Sequence, residues 1–595
     1  MIRGRLTHWL LVLLVAAPLV VYLPSVVRDS FVSIDDSLLI TKNAAVQSLS
    51  PRNVAHVFTS YDPELYIPLT LFTYQIEWAI AGAQPVLFHL TNLLLHIGSG
   101  LFLFFLLRKI FDREWIAFFG ALLFVLHPVH TEAVAWAAAR KDVLSAFFFL
   151  WTLLLYESAK HPRNGQMARW AVVTFLAALL SKVTVVLLPL VLLMLDWRRG
   201  ERIGMKNLRE KIPYFALSAV FMVIALFGKA QGIGSLGLWK TMLLSAKAVI
   251  FYIQQLFWPV HLSVIYAQQT PVGLGYAEFW VPVLALIILI AGVGAAVLRP
   301  YRNIAFGLSF FLVTVIPNFA NFWKNRFLFF ASDRYAYIPS VGLIILLCAA
   351  VVWINRKNIQ MKLPSIAVLS ILSALFALFT FQQTRVWQTD LVLYQNVLRW
   401  YPDSALAANN LGDALVKSRK LDESIPWFAK AAEFDRNYVQ AMTNAGNVER
   451  ERGRFDAAQA WYEKAIAAIG DDPRIEDVAP HYLLGELLIN MGKLEEGLAH
   501  FRTAVELLPD VSEPYYNLAG QLQALHRGDE AIPLFEKAIS LYPNDIASRY
   551  HLAGLYAERG RLAEAKNQLE YVVSVDPGYE KASEHLMNIR KLLLK

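Results

Sequence analysis

Residues His8 to Val27 read HWLLVLLVAAPLVVYLPSVV, a run without one Asp, Glu, Lys or Arg. At 1.5 Å per residue a helix of about 20 residues crosses a bilayer core about 30 Å thick, so this run predicts a membrane span. Arg3 and Arg5 precede it and place its start on the cytoplasmic side. The run is long and no small-residue cleavage site precedes Asp29, so it reads as an uncleaved first span and not as a signal peptide.

Ten further apolar stretches follow, near 85–107, 115–127, 142–157, 168–181, 183–197, 212–228, 279–298, 303–320, 338–354 and 363–381, for 11 candidate spans, several of them short. The linkers 108–113, 160–169, 198–211, 299–302 and 356–362, with the N-terminus, hold 19 of the 33 Lys and Arg before residue 404. Placing all of them inside sets the topology. It requires 168–197 to be a hairpin of two short helices turning at Ser181–Lys182, and 238–260 to be re-entrant or interfacial. Residues after 382 then lie outside. The outer loops are 28–84, 128–141, 229–278 and 321–337. The first, with Asp35, Asp36, Asp62, Pro63, Glu64, Pro68, Tyr61, Tyr66 and Tyr74, is longer than a connector needs and predicts short surface helices.

Composition agrees. Of 595 residues, 56% are hydrophobic and 17% charged, and the mean hydropathy is +0.43, which excludes a purely soluble protein. Residues 1–403 carry 33 Lys and Arg against 18 Asp and Glu, a balance of +15, and 404–595 carry 22 against 29, a balance of −7. The basic half is the apolar half, so its charge orients helices and does not predict a nucleic-acid partner. Cys348 is the only cysteine, which excludes a disulfide framework and a cysteine zinc site.

From 405 the sequence repeats with period 34, the length of a tetratricopeptide helix-turn-helix unit, in frames 405–438, 439–472, 478–511, 512–545 and 546–579. Small residues recur at Gly412, Gly446, Gly485, Ala519 and Ala553, and large apolar ones at Phe428, Tyr462, Phe501, Phe535 and Leu569. Ala431, Ala465, Ala504, Ala538 and Val572 follow three positions on, and Pro509, Pro543 and Pro577 close three repeats. Small residues let paired helices approach while the large ones fill the gap between neighbouring repeats. Residues 473–477 predict a loop, 580–595 a capping helix and 383–404 a linker helix that joins the membrane domain 1–382 to the repeats. The fold class is thus all-α, a polytopic membrane domain followed by an α-solenoid whose concave face predicts a protein or peptide partner.

Three clusters could carry chemistry. Asp35 and Asp36, in SIDDSLL just past the first span, could supply a general base toward an incoming hydroxyl, or cap a turn. HPVHTEAVAWAAARKD, from His127 to Asp142, gathers ionisable groups between two short spans, where charge is costly and marks a polar cavity. His127, His130 and Glu132 have metal-ligand chemistry but not the i, i+4 spacing of a zinc protease. In the preferred reading the histidines and Glu132 position polar substrate while Arg140 and Lys141 meet an anion; interfacial packing against headgroups is the alternative. Lys182, inside ALLSKVT, needs an acidic partner or a lipid phosphate. The run DRYAYIP, from Asp333 to Pro339, with Lys324 and Arg326 nearby, joins cations to aromatics such as Tyr335. It reads as an interfacial aromatic belt, or, with Arg334 beside Lys182 or Arg140, as a phosphate clamp.

An Asp-Asp pair in a long first loop, HPVHTEAVAW followed by RKDVLS, Ser-Lys in a short hairpin, DRYAYIPSVG and then tetratricopeptide repeats, in that order over nearly the whole chain, resembles the transmembrane and tetratricopeptide-repeat O-mannosyltransferases (TMTC). HPVHTEAVAW is the most specific piece. The resemblance implies a GT-C membrane glycosyltransferase that takes sugar, in relatives mannose, from a polyprenyl-phosphate donor on the extracytoplasmic or lumenal side. It implies an acid/base role for Asp35 or Asp36 and a supporting one for Glu132, and says less of Arg140, Lys182 and Arg334. The five repeats and the lack of any Asn-x-Ser/Thr sequon suit a prokaryotic plasma membrane, the endoplasmic reticulum being the alternative. Direct displacement from phosphate predicts inversion and needs no cofactor; the carboxylates could hold a divalent ion, but none is expected. A non-catalytic scaffold that gathers envelope or secretion proteins through its repeats is the rival reading. A transporter would show internal repeats among the spans, and none is evident.

Overall fold

The computed structural model describes residues 2–28, 30–61, 65–159, 165–229, 237–298, 301–324, 327–471 and 473–594. Asp62, Pro63, Glu64, Lys160 to Arg163, Arg299 and Arg326 lie outside the described residues. The chain divides into two compact units, Met1–Pro402 and Asp403–Lys595.

In the first unit the main helices are α1 (Ile2–Val21), α2 (Pro51–Thr59), α3 (Pro68–Ala81), α4 (Pro85–Phe111), α5 (Glu114–Val125), α6 (Arg140–Ala159), α7 (Gly165–Ser181) and α8 (Leu188–Arg198). They continue with α9 (Met205–Lys229), α10 (Leu238–Phe257), α11 (Ala277–Val297), α12 (Arg302–Val315), α13 (Ser340–Lys357), α14 (Lys362–Val386) and α15 (Asp390–Trp400). Among the described residues seven helices are long and apolar enough to cross a membrane alone, and α5 with Pro128–Ala135 forms an eighth, bent by 47°. The apolar part of α1, and α7 and α8, are shorter. Together these are the eleven stretches that the hydropathy pattern predicts. A small antiparallel sheet of β1 (Tyr266–Ala267), β2 (Trp323–Lys324) and β3 (Phe327–Ala331), in the order β1-β3-β2, covers α10; Tyr266 pairs with Ala331 and Trp323 with Leu328.

Ion pairs at the helix ends reveal how the helices alternate. Thr7 donates to Glu114 over 2.5 Å, and Arg198 and Arg199 pair with Glu157 at 3.0 and 2.6 Å. Lys211 and Arg199 both pair with Asp196. At the other end Lys182 pairs with Asp142. Because Asp142 starts α6 and Glu157 ends it, α7 and α8 must run up and down beside it, which is the hairpin that the basic linkers demand. One end of the unit thus collects the described basic linkers. The other collects the long first loop, which folds into α2, α3 and a wide π-helical turn at Ser37–Thr41, together with HPVH and DRYAYIP.

The stretch predicted as a linker helix belongs to the first unit. The α15 helix lies on the loop after α10, with the Asn396 side chain donating to the Leu262 carbonyl at 3.0 Å and Trp400 packed 4.2 Å from His261 between ring centres. The domain boundary therefore falls at Pro402.

The second unit contains five helix pairs, from Ala405–Lys417 with Leu421–Phe434 to Ile546–Glu558 with Leu562–Val575, and a final helix Ala582–Leu593. A Cβ on Gly412, Gly446 or Gly485 would come within 2.7, 2.5 or 2.7 Å of the ring of Phe428, Tyr462 or Phe501 in the same repeat. Each ring therefore lies over its own small residue as well as against the next repeat, as Phe428 does on Ala445 and Val448. The turn between paired helices needs a left-handed residue at one repeat position, held by Arg419, Gly453, Gly492, His526 and Gly560. The predicted loop at 473–477 includes a short helical turn, Ile475–Val478.

Candidate active site

The first loop presents its two aspartates differently. Asp36 is fully buried and accepts the Val32 N–H at 3.0 Å and the Ala138 N–H at 2.7 Å. It ties the loop to the segment after HPVH. Burial pushes its carboxyl up to about 7, against the pull of Arg28 and of these two N–H groups. Asp35 points the other way, with 34% of its side chain exposed and Oδ2 3.8 Å from Lys141 Nζ. Of the pair, only Asp35 can meet a substrate.

The bend after α5 exists because Pro128 opens a new helical turn after His127. His127 Nε2 meets the Leu256 carbonyl at 2.9 Å and Nδ1 accepts the Val129 N–H at 3.2 Å. His130 Nδ1 meets the Phe124 carbonyl at 2.8 Å and Nε2 the Ser340 hydroxyl at 3.0 Å. Both rings are buried and act as cross-braces, not as the substrate-positioning groups that the sequence suggests. Among the described residues no three His, Cys, Asp or Glu side chains converge as metal ligands.

Glu132 is buried and accepts from the Ser332 hydroxyl at 2.8 Å, from the Arg334 N–H at 3.1 Å and from the Arg334 guanidinium. It reaches no open space, so its supporting role is to seat Arg334. That guanidinium also lies 4.9 Å from the ring centres of Trp136 and of Tyr335. Burial lowers the Arg334 pKa, but Tyr335, Glu132, Asp142 and Asp35 outweigh it and hold the pKa above the usual value.

Arg140 departs from its expected role. It is fully buried and donates to Glu77 at 2.8 Å, to Thr73 at 3.1 Å, to Asn92 at 2.5 Å and to the Phe88 carbonyl at 2.6 Å. With its guanidinium spent on α3 and α4 it has no access to a phosphate. Lys141 is also buried, with Nζ 3.8 Å from the partly exposed Asp35, and Lys182 is paired with Asp142 and lies 5.2 Å from the centre of the Tyr335 ring.

Near these groups lies a recess walled by Asp142, Thr184, Asn318, Arg334 and Tyr335 and by the apolar Phe149, Leu188 and Ile338. Among the described residues Arg334 Nε and Asp142 Oδ2 are buried with no hydrogen-bond partner. Such atoms are costly unless a ligand or water completes them. Sequence reading missed Glu77, Asp142, Thr184 and Asn318. Glu77, a lone carboxylate in the apolar run TYQIEWAI, and Asp142, next to Lys141, carry the same signal as Lys182; the two neutral residues carry none.

Tetratricopeptide-repeat family profiles match residues 403–469, 482–546 and 522–583. Protein O-mannosyl-transferase TMTC3 of Mus musculus is 24% identical over 506 residues, which are 76% of this chain and 54% of that protein. Protein O-mannosyl-transferase F38B6.6 of Caenorhabditis elegans is 26% identical over 468 residues, 72% of this chain and 63% of that protein. Protein O-mannosyl-transferase TMTC2 of Mus musculus reaches 39% identity, over 106 residues, 18% of this chain and 13% of that protein. The solved structure of YrrB, a TPR protein with an unusual peptide-binding site, covers 32% of this chain and 96% of its own at 21% identity and a TM-score of 0.25. The chain spans about half the length of the curated relatives it matches. Over about three quarters of its length the chain is similar to the TMTC protein O-mannosyl-transferases, and it carries apolar helices long enough to cross a membrane and tetratricopeptide repeats from residue 403 onward.

Proposed function

We propose that the first unit transfers a sugar, mannose by analogy with the names of its relatives, from a polyprenyl-phosphate donor to a protein hydroxyl on the extracytoplasmic face. The observation that carries this reading is one accessible carboxylate, Asp35, beside Lys141, in the neighbourhood of a recess lined by Arg334 and by Asp142, the partner of Lys182. The donor phosphate takes the free Nε–H of Arg334 and the ammonium groups of Lys182 and Lys141, and the isoprenoid follows the apolar wall at Phe149, Leu188 and Ile338. Asp35 removes the acceptor hydroxyl proton, the hydroxyl oxygen bonds to the anomeric carbon, and the bond from that carbon to the phosphate oxygen breaks with its electron pair. The cations meet the charge that develops on the leaving phosphate. Attack opposite the phosphate gives inversion.

The reaction proposed here uses no metal, because phosphate leaves as a stabilised anion and the lysine and arginine set faces it; transfer is expected to stay within about twofold after EDTA treatment. The repeats hold the acceptor. The basic linkers at the far end support the assignment of the recess to the extracytoplasmic side, as a prokaryotic plasma membrane would present it. Membranes with Asp35→Asn, supplied with tritiated mannosyl-phosphate-polyprenol, are expected to lose transfer while expressing normally; native rates would remove Asp35 from its role.

A further inference from the structure

The helix that leads into the repeats grips the loop that carries Asp35. Asp390, the first residue of α15, accepts the Ser33 N–H through Oδ1 at 2.9 Å and the Ser33 hydroxyl through Oδ2 at 2.5 Å. Ser33 stands two residues before Asp35, on the stretch between the first span and the turn at Ser37–Thr41. Just before α15 the Trp387 carbonyl accepts from Arg28, whose Nε also donates to His89 on α4 at 2.7 Å. The loop is therefore held on both sides of residue 30 by the exit of α14 and the start of α15.

Just beyond the far end of α15 the chain reaches the segment that carries Arg334. Tyr401 packs on Tyr266, with ring centres 6.0 Å apart, and the Tyr266 hydroxyl donates to Asp333 at 2.7 Å. Asp333 immediately precedes Arg334, the guanidinium on the recess. One rigid helix of 11 residues thus braces both the segment that bears the accessible carboxylate and the turn that bears the phosphate donor. A bidentate carboxylate on a backbone N–H and its own side-chain hydroxyl fixes orientation as well as position.

We infer that Asp390 is a positioning residue for sugar transfer, and that α15 is the brace that sets the separation between Asp35 and Arg334. This rests on the reading of Asp35 as the base. It does not follow from charge near the recess, since Asp390 touches no substrate in this arrangement; it acts through Ser33. A misplacement of about 1 Å in a reacting group can cost on the order of a hundredfold in rate, which sets the scale of the effect.

The test uses the full chain in membranes, with tritiated mannosyl-phosphate-polyprenol as donor and endogenous membrane proteins as acceptor, alongside amide hydrogen exchange on purified protein. Asp390→Ala is expected to lower kcat about a hundredfold with donor KM within about twofold, and Ser33→Ala about tenfold. The double variant should be no slower than Asp390→Ala alone, because both remove one link. Asp390→Asn, which keeps one acceptor oxygen, should fall between native and Ala and guards against simple misfolding. Exchange should rise over residues 30–42 in Asp390→Ala and stay native over 439–593. Native kcat in Asp390→Ala and Ser33→Ala overturns the inference. If exchange stays native while Asp35→Asn is inactive, the brace has failed and the base assignment survives. If exchange rises while Asp35→Asn transfers at native rate, the base assignment has failed, and the positioning role falls with it.

Discussion

The two ends of the membrane unit both bury charge, and they do so differently. At the end that gathers the basic linkers, Asp196 is fully buried and its two oxygens meet Lys211, Arg199, the Tyr156 hydroxyl at 2.8 and 2.9 Å and the Asn207 amide at 3.3 Å. Glu157 alongside takes both Arg198 and Arg199. At the recess end Asp35 is one-third exposed and only within 3.8 Å of its lysine, while Arg334 Nε and Asp142 Oδ2 have no partner. A saturated cluster locks three helices together; an unsaturated one beside open space waits for a ligand. Buried charge alone does not mark a site, and neither does one unfilled hydrogen bond, since Arg198 Nε also lacks a partner among the described residues; what sets the recess end apart is open space beside the unfilled groups.

The largest effect expected from this contrast is a separation of rate from stability. Asp35→Asn should cut transfer by about a thousandfold, the scale of a lost general base, with native thermal unfolding. Asp196→Asn should leave the chemistry alone but leave the buried Lys211 ammonium with only Glu210, 3.4 Å away, as its acidic partner, which should show as a lowered unfolding midpoint in detergent. Equal activity losses in the two variants would erase the distinction between the ends. Next in size, Arg334→Lys keeps the charge but removes Nε and the planar fork. It should raise donor KM about tenfold, the worth of a charged hydrogen bond, in an assay that varies tritiated donor.

A smaller effect tests the two neighbouring aspartates. The carboxyl of Asp36 has a pKa raised to about 7 by burial, above the value of about 4 in an unfolded chain. Its contribution to stability is therefore complete below about pH 4 and is lost as pH rises through about 7. Melting curves of the native protein should fall across that window, and those of Asp36→Asn should be flatter; parallel curves would mean that Asp36 titrates alike in both states. The smallest effect lies in the repeats, at turns where Arg419 and His526 take the left-handed conformation that Gly453, Gly492 and Gly560 take in the others. Arg419→Gly and His526→Gly should each stabilise the unit by up to about 1 kcal/mol, measured by urea unfolding followed by circular dichroism.

Hydropathy and period carry the architecture well because both are local. A span needs only a long enough apolar run, and a repeat needs only its small and large residues 34 apart, so Gly412 under Phe428 is legible before any fold is known. The hairpin at Ser181–Lys182 was legible too, because basic residues on both sides of 168–197 allow only an even number of crossings. The site was legible in part. SIDDSLL, Lys182 and DRYAYIP announce themselves as charge beside apolar sequence, yet that signal is the same for a group that binds substrate and for one that braces the fold. Arg140 and Arg334 look alike in the chain; only the position of Glu77 on α3 and of Glu132 under the DRYAYIP turn separates the buried strut from the guanidinium on the recess.

By itself the sequence determined many short and long apolar spans, a five-repeat solenoid and the resemblance that its motifs carry. Only the tertiary structure decided which of Asp35 and Asp36 is accessible, that the histidines are cross-braces, that Arg140 is spent, and that the helix before the repeats belongs to the membrane unit. The reason is physical. Helices and spans are set by neighbours within a few turns, whereas a side chain's freedom to meet substrate depends on which partners, far away in the chain, use up its hydrogen bonds first, as Glu77 does for Arg140.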